Sequence, residues 1–95
     1  MLSKPKVKYI QTLGQKKFRQ EERLFIAEGP KLVKELLESE NTSVSEVYAL
    51  PDWINEQKNL PDGVTCIEIT PADLERISQL TTPNKVLALV KRFDN

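Results

Sequence analysis

Histidine is absent from the 95 residues, and cysteine occurs once, at Cys66. These two shortages exclude a zinc site of the usual Cys/His kind and any Cys–His or Ser–His nucleophile. A single cysteine also excludes an internal disulfide and fits a reducing, cytoplasmic setting. The three glycines, Gly14, Gly29 and Gly63, stand too far apart for a glycine-rich phosphate loop. No apolar run exceeds the five residues Val86 to Val90, so no segment is long enough to span a membrane. Met1-Leu2-Ser3-Lys4 lacks the apolar core of a secretory signal. Neither a repeat nor a low-complexity tract interrupts the chain, and Glu21-Glu22 reads as a solvated face rather than a catalytic pair.

What is present is ordinary globular composition, 39% hydrophobic and 29% charged, enough for one domain with one core. The formal net charge of zero conceals an uneven distribution. Residues 1–23 hold seven basic residues against two acidic ones, a net +5, and residues 24–95 carry the compensating −5. A basic arm (1–23) on an acidic body (24–95) points to an anionic partner for the arm.

Along the chain, Ser3 can cap a first helix that tolerates Pro5 in its opening turn. Val7, Ile10, Leu13 and Phe18 recur at helical spacing, and Gly14 divides the segment into helices near 4–13 and 15–22. Four β-rich runs follow, near 24–28, 44–50, 64–69 and 86–91. In the third, Thr65, Ile67 and Ile69 face one way. Between the strands lie a helix at 30–39 with the stripe Leu32, Val33, Leu36 and Leu37, and a short helix at 53–58 that Asp52 caps after Pro51. A further helix begins after the capping residue Thr70 and buries Leu74, Ile77 and Leu80. Asn41-Thr42-Ser43, Asn59-Leu60-Pro61-Asp62-Gly63 and Thr81-Thr82-Pro83-Asn84 read as loops. Strands alternating with helices predict an α/β fold, a small three-layer sandwich around a mostly parallel four-stranded sheet, preceded by the basic helical segment.

One stretch ties this together. Lys16-Lys17-Phe18-Arg19 leads into Leu24-Phe25-Ile26-Ala27-Glu28-Gly29, and Pro30 opens Lys31-Leu32-Val33-Lys34-Glu35-Leu36-Leu37. Four apolar residues from Leu24 suit a buried strand, Gly29 a backbone angle closed to other residues, and Pro30 a first helical position. The run resembles the N-terminal substrate-binding domain of the SpoU/TrmH class of RNA 2'-O-ribose methyltransferases, with its "KKxR", "LFxxEG" and "xKLVxEAL" segments. The likeness is dense over residues 4–37 and continues to Lys91 as alternating elements. It implies an L30e-like fold, a structured ribosomal or transfer RNA as partner, and a C-terminal catalytic domain beyond this chain that binds S-adenosylmethionine. No cofactor is then expected in residues 1–95, which would recognise RNA and transfer no methyl group.

The candidate contacts are accordingly Lys6, Lys8, Lys16, Lys17, Arg19 and Arg23 of the arm. Lysine and arginine neutralise phosphates and release counterions, and arginine adds forked donors. The same residues would equally serve to solvate two helices. Glu28, Gly29 and Lys31 form a second group, at a strand end followed by free helical N–H groups, a common ligand position. There Glu28 could instead accept local backbone hydrogen bonds. Tyr9, Tyr48 and Trp53 could stack on bases or simply pack, with Tyr9 the best placed for stacking. Cys66 reads as a small buried side chain. Two alternatives stand beside the methyltransferase reading: a self-standing L30e-like RNA-binding or ribosome-associated protein, and a protein-interaction domain that docks through its basic arm.

Overall fold

Each of the four β-rich runs forms a strand of one sheet, and capped helices cover both of its faces. The computed structural model describes residues 2–39, 43–57 and 60–91. In chain order the elements are α1 (Lys4–Thr12), α2 (Lys16–Glu22), β1 (Leu24–Glu28), α3 (Pro30–Glu38), β2 (Ser43–Ala49), α4 (Pro51–Glu56), β3 (Thr65–Glu68), α5 (Pro71–Ile77) and β4 (Val86–Lys91). The expected loop residues Asn41 and Thr42, Lys58 at the end of the fourth helix, Asn59 of the next turn and residues 92–95 lie outside the described residues.

The sheet order is β1-β4-β2-β3. Only β2 and β3 pair in parallel; β4 is antiparallel to both β1 and β2. The expectation of a mostly parallel sheet is therefore corrected, and the connection from β3 to β4 explains why. Strands β1, β2 and β3 do run the same way. The segment 69–85, however, stays at the end of the sheet where β3 finishes. Ser78 and Gln79 bond to Glu28, and Lys85 O accepts from Leu50 N–H at 2.9 Å. β4 must then start at that end and run back between β1 and β2. Nothing in the alternation of strands and helices distinguishes this return from a crossover.

Side chains alternate across β4, so the uninterrupted run Val86–Val90 feeds two cores. Leu87 and Leu89 join Val7, Ile10, Leu13, Tyr48, Leu74 and Ile77 beneath α1 and α5. Val86, Ala88 and Val90 join Val33, Val47 and Trp53 beneath α3 and α4. Burying a Leu or Ile fully stabilises by about 1.5–3 kcal/mol, so the fully buried Ile10 and Leu13, with Val7, contribute most to holding α1 on the sheet. α2 packs against β1, the strand at that edge of the sheet.

Caps fall mostly where the residues demand them. Ser3 accepts Lys6 N–H at 3.3 Å, and Thr70 and Asp73 form a reciprocal capping box on α5. Three expectations need adjustment. α4 begins at Pro51 with Leu50 as its cap residue, and Asp52 sits inside the first turn, because Pro51 is itself suited to the first helical position. α5 ends at Ile77, which leaves Leu80 48% exposed instead of in the buried stripe. β3 is shorter than expected, Thr65–Glu68, so Ile69 lies just past it; Thr65 does share the α1 side with Ile67 and Ile69, though exposed at the sheet edge. Gly14 does separate α1 from α2, and close approach gives it a further role: a Cβ there would collide with the side-chain amide of Gln79.

Candidate nucleic-acid interface

The carboxyl end of β1 is fixed by its one charged residue. Glu28 accepts the Ser78 hydroxyl at 2.5 Å and the Gln79 N–H at 2.8 Å, and Ser78 Oγ in turn accepts Leu80 N–H at 3.0 Å. Gly29, at φ +98°, turns the chain into α3 while its own N–H reaches Val86 O at 3.0 Å. Pro30 then opens α3, and no side chain caps the free N–H groups of its first turn. Glu28 to Leu32, with Glu35 and Asn84, line a depression of about 420 Å³, and Lys31 is exposed on its rim.

The arm meets this turn at its middle. Gly14 abuts Gln79, and Gln79 is bonded to Glu28, so the α1–α2 corner, the exit of α5 and the β1–α3 turn come together. Lys16 and Lys17 open α2 there, both exposed and in no ion pair among the described residues. Lys17 Nζ lies 6.0 Å from the centroid of the Phe18 ring. Arg19 belongs to the same corner, yet its guanidinium is engaged with Leu13 O at 3.3 Å and Gly14 O at 2.9 Å, closing the end of α1. That is a satisfied C-terminal carbonyl pair, the role basic side chains often take at helix ends.

The remaining candidates stand elsewhere. Lys6 reaches Glu46 of β2, with Nζ 3.2 Å from Oε2, and is only partly exposed. Lys8 is exposed on α1. Arg23 closes α2 in the left-handed conformation at φ 57°, its N–H bonded to Arg19 O, at the opposite end of the helix from Lys16. The structure thus brings Lys16, Lys17, Arg19, Glu28, Gly29 and Lys31 to one end of the sheet, and leaves Lys6 and Arg23 toward the other.

Of the aromatic candidates, Trp53 and Tyr48 are core residues, 2% and 0% exposed, and neither offers a face to a base. Tyr9 keeps partial exposure. Its hydroxyl donates to Glu22 at 2.8 Å and links α1 to α2. Burial, reinforced by the Glu22 carboxylate, pushes its pKa up to about 12. Tyr48 is pushed higher still, by burial and by the 2.5 Å bond its hydroxyl donates to Glu46. Glu46 escaped sequence reasoning altogether. A register shift between Val44 and Glu46 puts one extra residue in β2 opposite β4, and Glu46 consequently turns to the α1 side to meet Lys6 and Tyr48. Asp73, 1% exposed, closes the capping box of α5 as its third residue; it also accepts Leu2 N–H at 3.1 Å and so anchors the start of the arm. Burial alone would raise its pKa, but the N–H donors of Leu2 and Thr70 hold it below the usual carboxylate value. Among the described residues no cluster of side chains could hold a metal, and no helix is long and apolar enough to cross a membrane.

Comparison with known proteins gives this geometry a family. Among solved structures, a putative RNA methyltransferase of the TrmH family from Porphyromonas gingivalis superposes with a TM-score of 0.80 at 29% identity, over 96% of this chain and 36% of that one. The AdoMet-bound rRNA methyltransferase from Sinorhizobium meliloti gives 0.77 at 26% identity, over 100% of this chain and 36% of that one. The SpoU methyltransferase AviRb from Streptomyces viridochromogenes, in complex with AdoMet, shares the fold with a TM-score of 0.79 at 17% identity, over 97% of this chain and 37% of that one. The chain thus spans little more than a third of each of these proteins. No curated protein matches the chain. Residues 4–88 match the family described as the MRM3-like substrate binding domain, and the chain therefore belongs to that family, with the fold of the corresponding part of SpoU/TrmH RNA methyltransferases.

Proposed function

We propose that residues 1–95 form a single domain that grips structured RNA, ribosomal or transfer, and presents one ribose to a catalytic 2'-O-methyltransferase domain lying C-terminal to it. In this reading the S-adenosylmethionine site belongs to the catalytic domain, these residues supply recognition and no methyl transfer, the body is L30e-like, and the protein works in the cytoplasm. The observation that carries it is the meeting of the exposed Lys16 and Lys17 with the Gly29–Lys31 turn through the Gly14, Gln79 and Glu28 contacts. Two lysines at a helix start, a third at the rim of the depression and uncapped N–H groups on α3 offer donors to a phosphate backbone, beside the Glu28 and Glu35 carboxylates that also line the depression.

Phosphate contacts of this kind depend on salt. With three or four phosphates neutralised, the logarithm of the association constant should fall against the logarithm of salt concentration with a slope of roughly −2 to −4. Lys17→Ala should remove about one unit of that slope and weaken different RNAs by similar factors. A slope unchanged by Lys17→Ala would take Lys17 out of the interface.

A further inference from the structure

The α1 face of the sheet is covered unevenly. α5 and the end of α1 close the side where β1 and β3 finish. Toward the start of β1 and β2 a pocket of about 290 Å³ remains between α1 and the sheet. Leu24, backed by the buried Leu89, gives it an apolar floor and Tyr9 an aromatic wall, while Lys6, Ser45 and Glu46 supply its polar groups. The extra residue in β2 builds that polar side, since the register shift brings both Ser45 and Glu46 to the pocket. Lys6 and Tyr48 hold the Glu46 carboxylate in place, and its two oxygens keep lone pairs for a further donor. Lys91 stands opposite Leu24 in the antiparallel ladder, hence on the same face, and is exposed. It carries a positive charge beside the floor.

We propose that this pocket receives one unpaired nucleotide of the RNA: a base bearing an exocyclic amino group lies on the partly exposed Leu24 against Tyr9, donates to Glu46, and leaves its phosphate at Lys91. The chemistry is matched at each point. A small apolar slot with a few fixed polar groups suits a planar heterocycle. A carboxylate accepts from an amino edge such as that of cytosine, and a neighbouring ammonium donates to the ring acceptor beside it. Unstacked bases held on aromatic side chains are the ordinary route to reading RNA sequence, whereas the lysines of the α2 corner meet only backbone. The pocket therefore adds base selection to the RNA reading on which it rests.

Cytidine 5'-monophosphate, titrated into the 15N-labelled domain, tests the pocket apart from the lysines of the α2 corner. Saturable amide shifts at Leu24, Ser45, Glu46, Leu89 and Lys91 are expected, weak for a lone nucleotide and absent with ribose 5-phosphate. Equal shifts with ribose 5-phosphate, or none with either, overturn the proposal. Tyr9→Phe keeps the ring and should keep binding. Tyr9→Ala should weaken a short single-stranded RNA by roughly 5- to 150-fold, the loss of one stacked base. Ser45→Leu fills the pocket while leaving the packing around Tyr9 in place, and should abolish the shifts with folding confirmed by thermal melting; shifts that persist there also overturn it. If the wild type binds long RNA but the nucleotide leaves the pocket unshifted, the pocket assignment falls and the RNA reading stands. If the nucleotide binds but long RNA does not, the reverse holds.

Discussion

Glu28 discriminates between an RNA contact and a structural anchor. Its carboxylate accepts the Ser78 hydroxyl and the Gln79 N–H, and through Ser78 it also orders Leu80. Glu28→Ala removes both bonds and leaves the loop after α5 without its tie to β1. Hydrogen bonds to a charged acceptor contribute about 1.5–3 kcal/mol each when buried. This residue is partly exposed and water replaces some of that, so the combined loss should be about 2 kcal/mol. For a chain of this size that lowers the melting temperature by roughly 8–16 °C. Glu28→Gln keeps an acceptor of the same shape and should lose about half as much. Urea unfolding followed by circular dichroism gives the free energies, and RNA affinity measured well below each midpoint separates folding from contact. Because a negative charge repels phosphate, Glu28→Gln should leave affinity unchanged or raise it. Undiminished stability in Glu28→Ala together with weakened RNA binding would refute the anchor assignment and make Glu28 a direct contact.

Two further perturbations test other parts of the framework. Asp73 is held below the usual carboxylate pKa by the Leu2 and Thr70 N–H donors, so the stability it adds is present above its unfolded pKa and lost as pH falls through its folded one. Asp73→Asn should therefore be less stable than wild type at pH 7, and the gap should shrink in acid; urea midpoints at both pH values check this, and a gap constant with pH would contradict it. Gly29→Ala meets no atoms within 4 Å, so its cost is backbone strain alone, about 1–3 kcal/mol at φ +98°, and an unchanged urea midpoint would argue that the turn relaxes freely.

Much of this was legible because local rules agree with the fold. Ser3, Thr70 and the Leu24–Ala27 run mark their element ends in sequence, and strands β1 and β4 fall on the residues expected. The sheet's pairing was not legible, because it depends on where the long connection 69–85 lies, and that is fixed by tertiary bonds from Glu28 and Leu50. The same distance in sequence hid the fate of the basic residues. Charge counting puts Lys6, Arg19 and Lys17 on one footing. The structure gives Lys6 to Glu46, Arg19 to the carbonyls of Leu13 and Gly14, and leaves Lys17 exposed. Partners 40 residues away, as for Lys6 and Glu46, cannot be read from composition. The bulge that aims Glu46 likewise has no mark in Val44-Ser45-Glu46-Val47.

The central claim is that the corner formed by α2 and the β1–α3 turn carries the RNA. It is tested most directly by comparing, at low salt, the RNA affinity of wild type with that of a Lys16/Lys17/Arg19/Arg23 quadruple alanine variant, folding confirmed for both by circular dichroism and melting. Arg19 and Arg23 also close helix ends, so a Lys16/Lys17 double alanine variant accompanies the quadruple. The account predicts that the double variant retains the fold, binds more weakly and loses about two units of salt slope, and that the quadruple loses more. Equal affinity and equal slope in all three proteins would contradict it and move the basic arm to a protein partner.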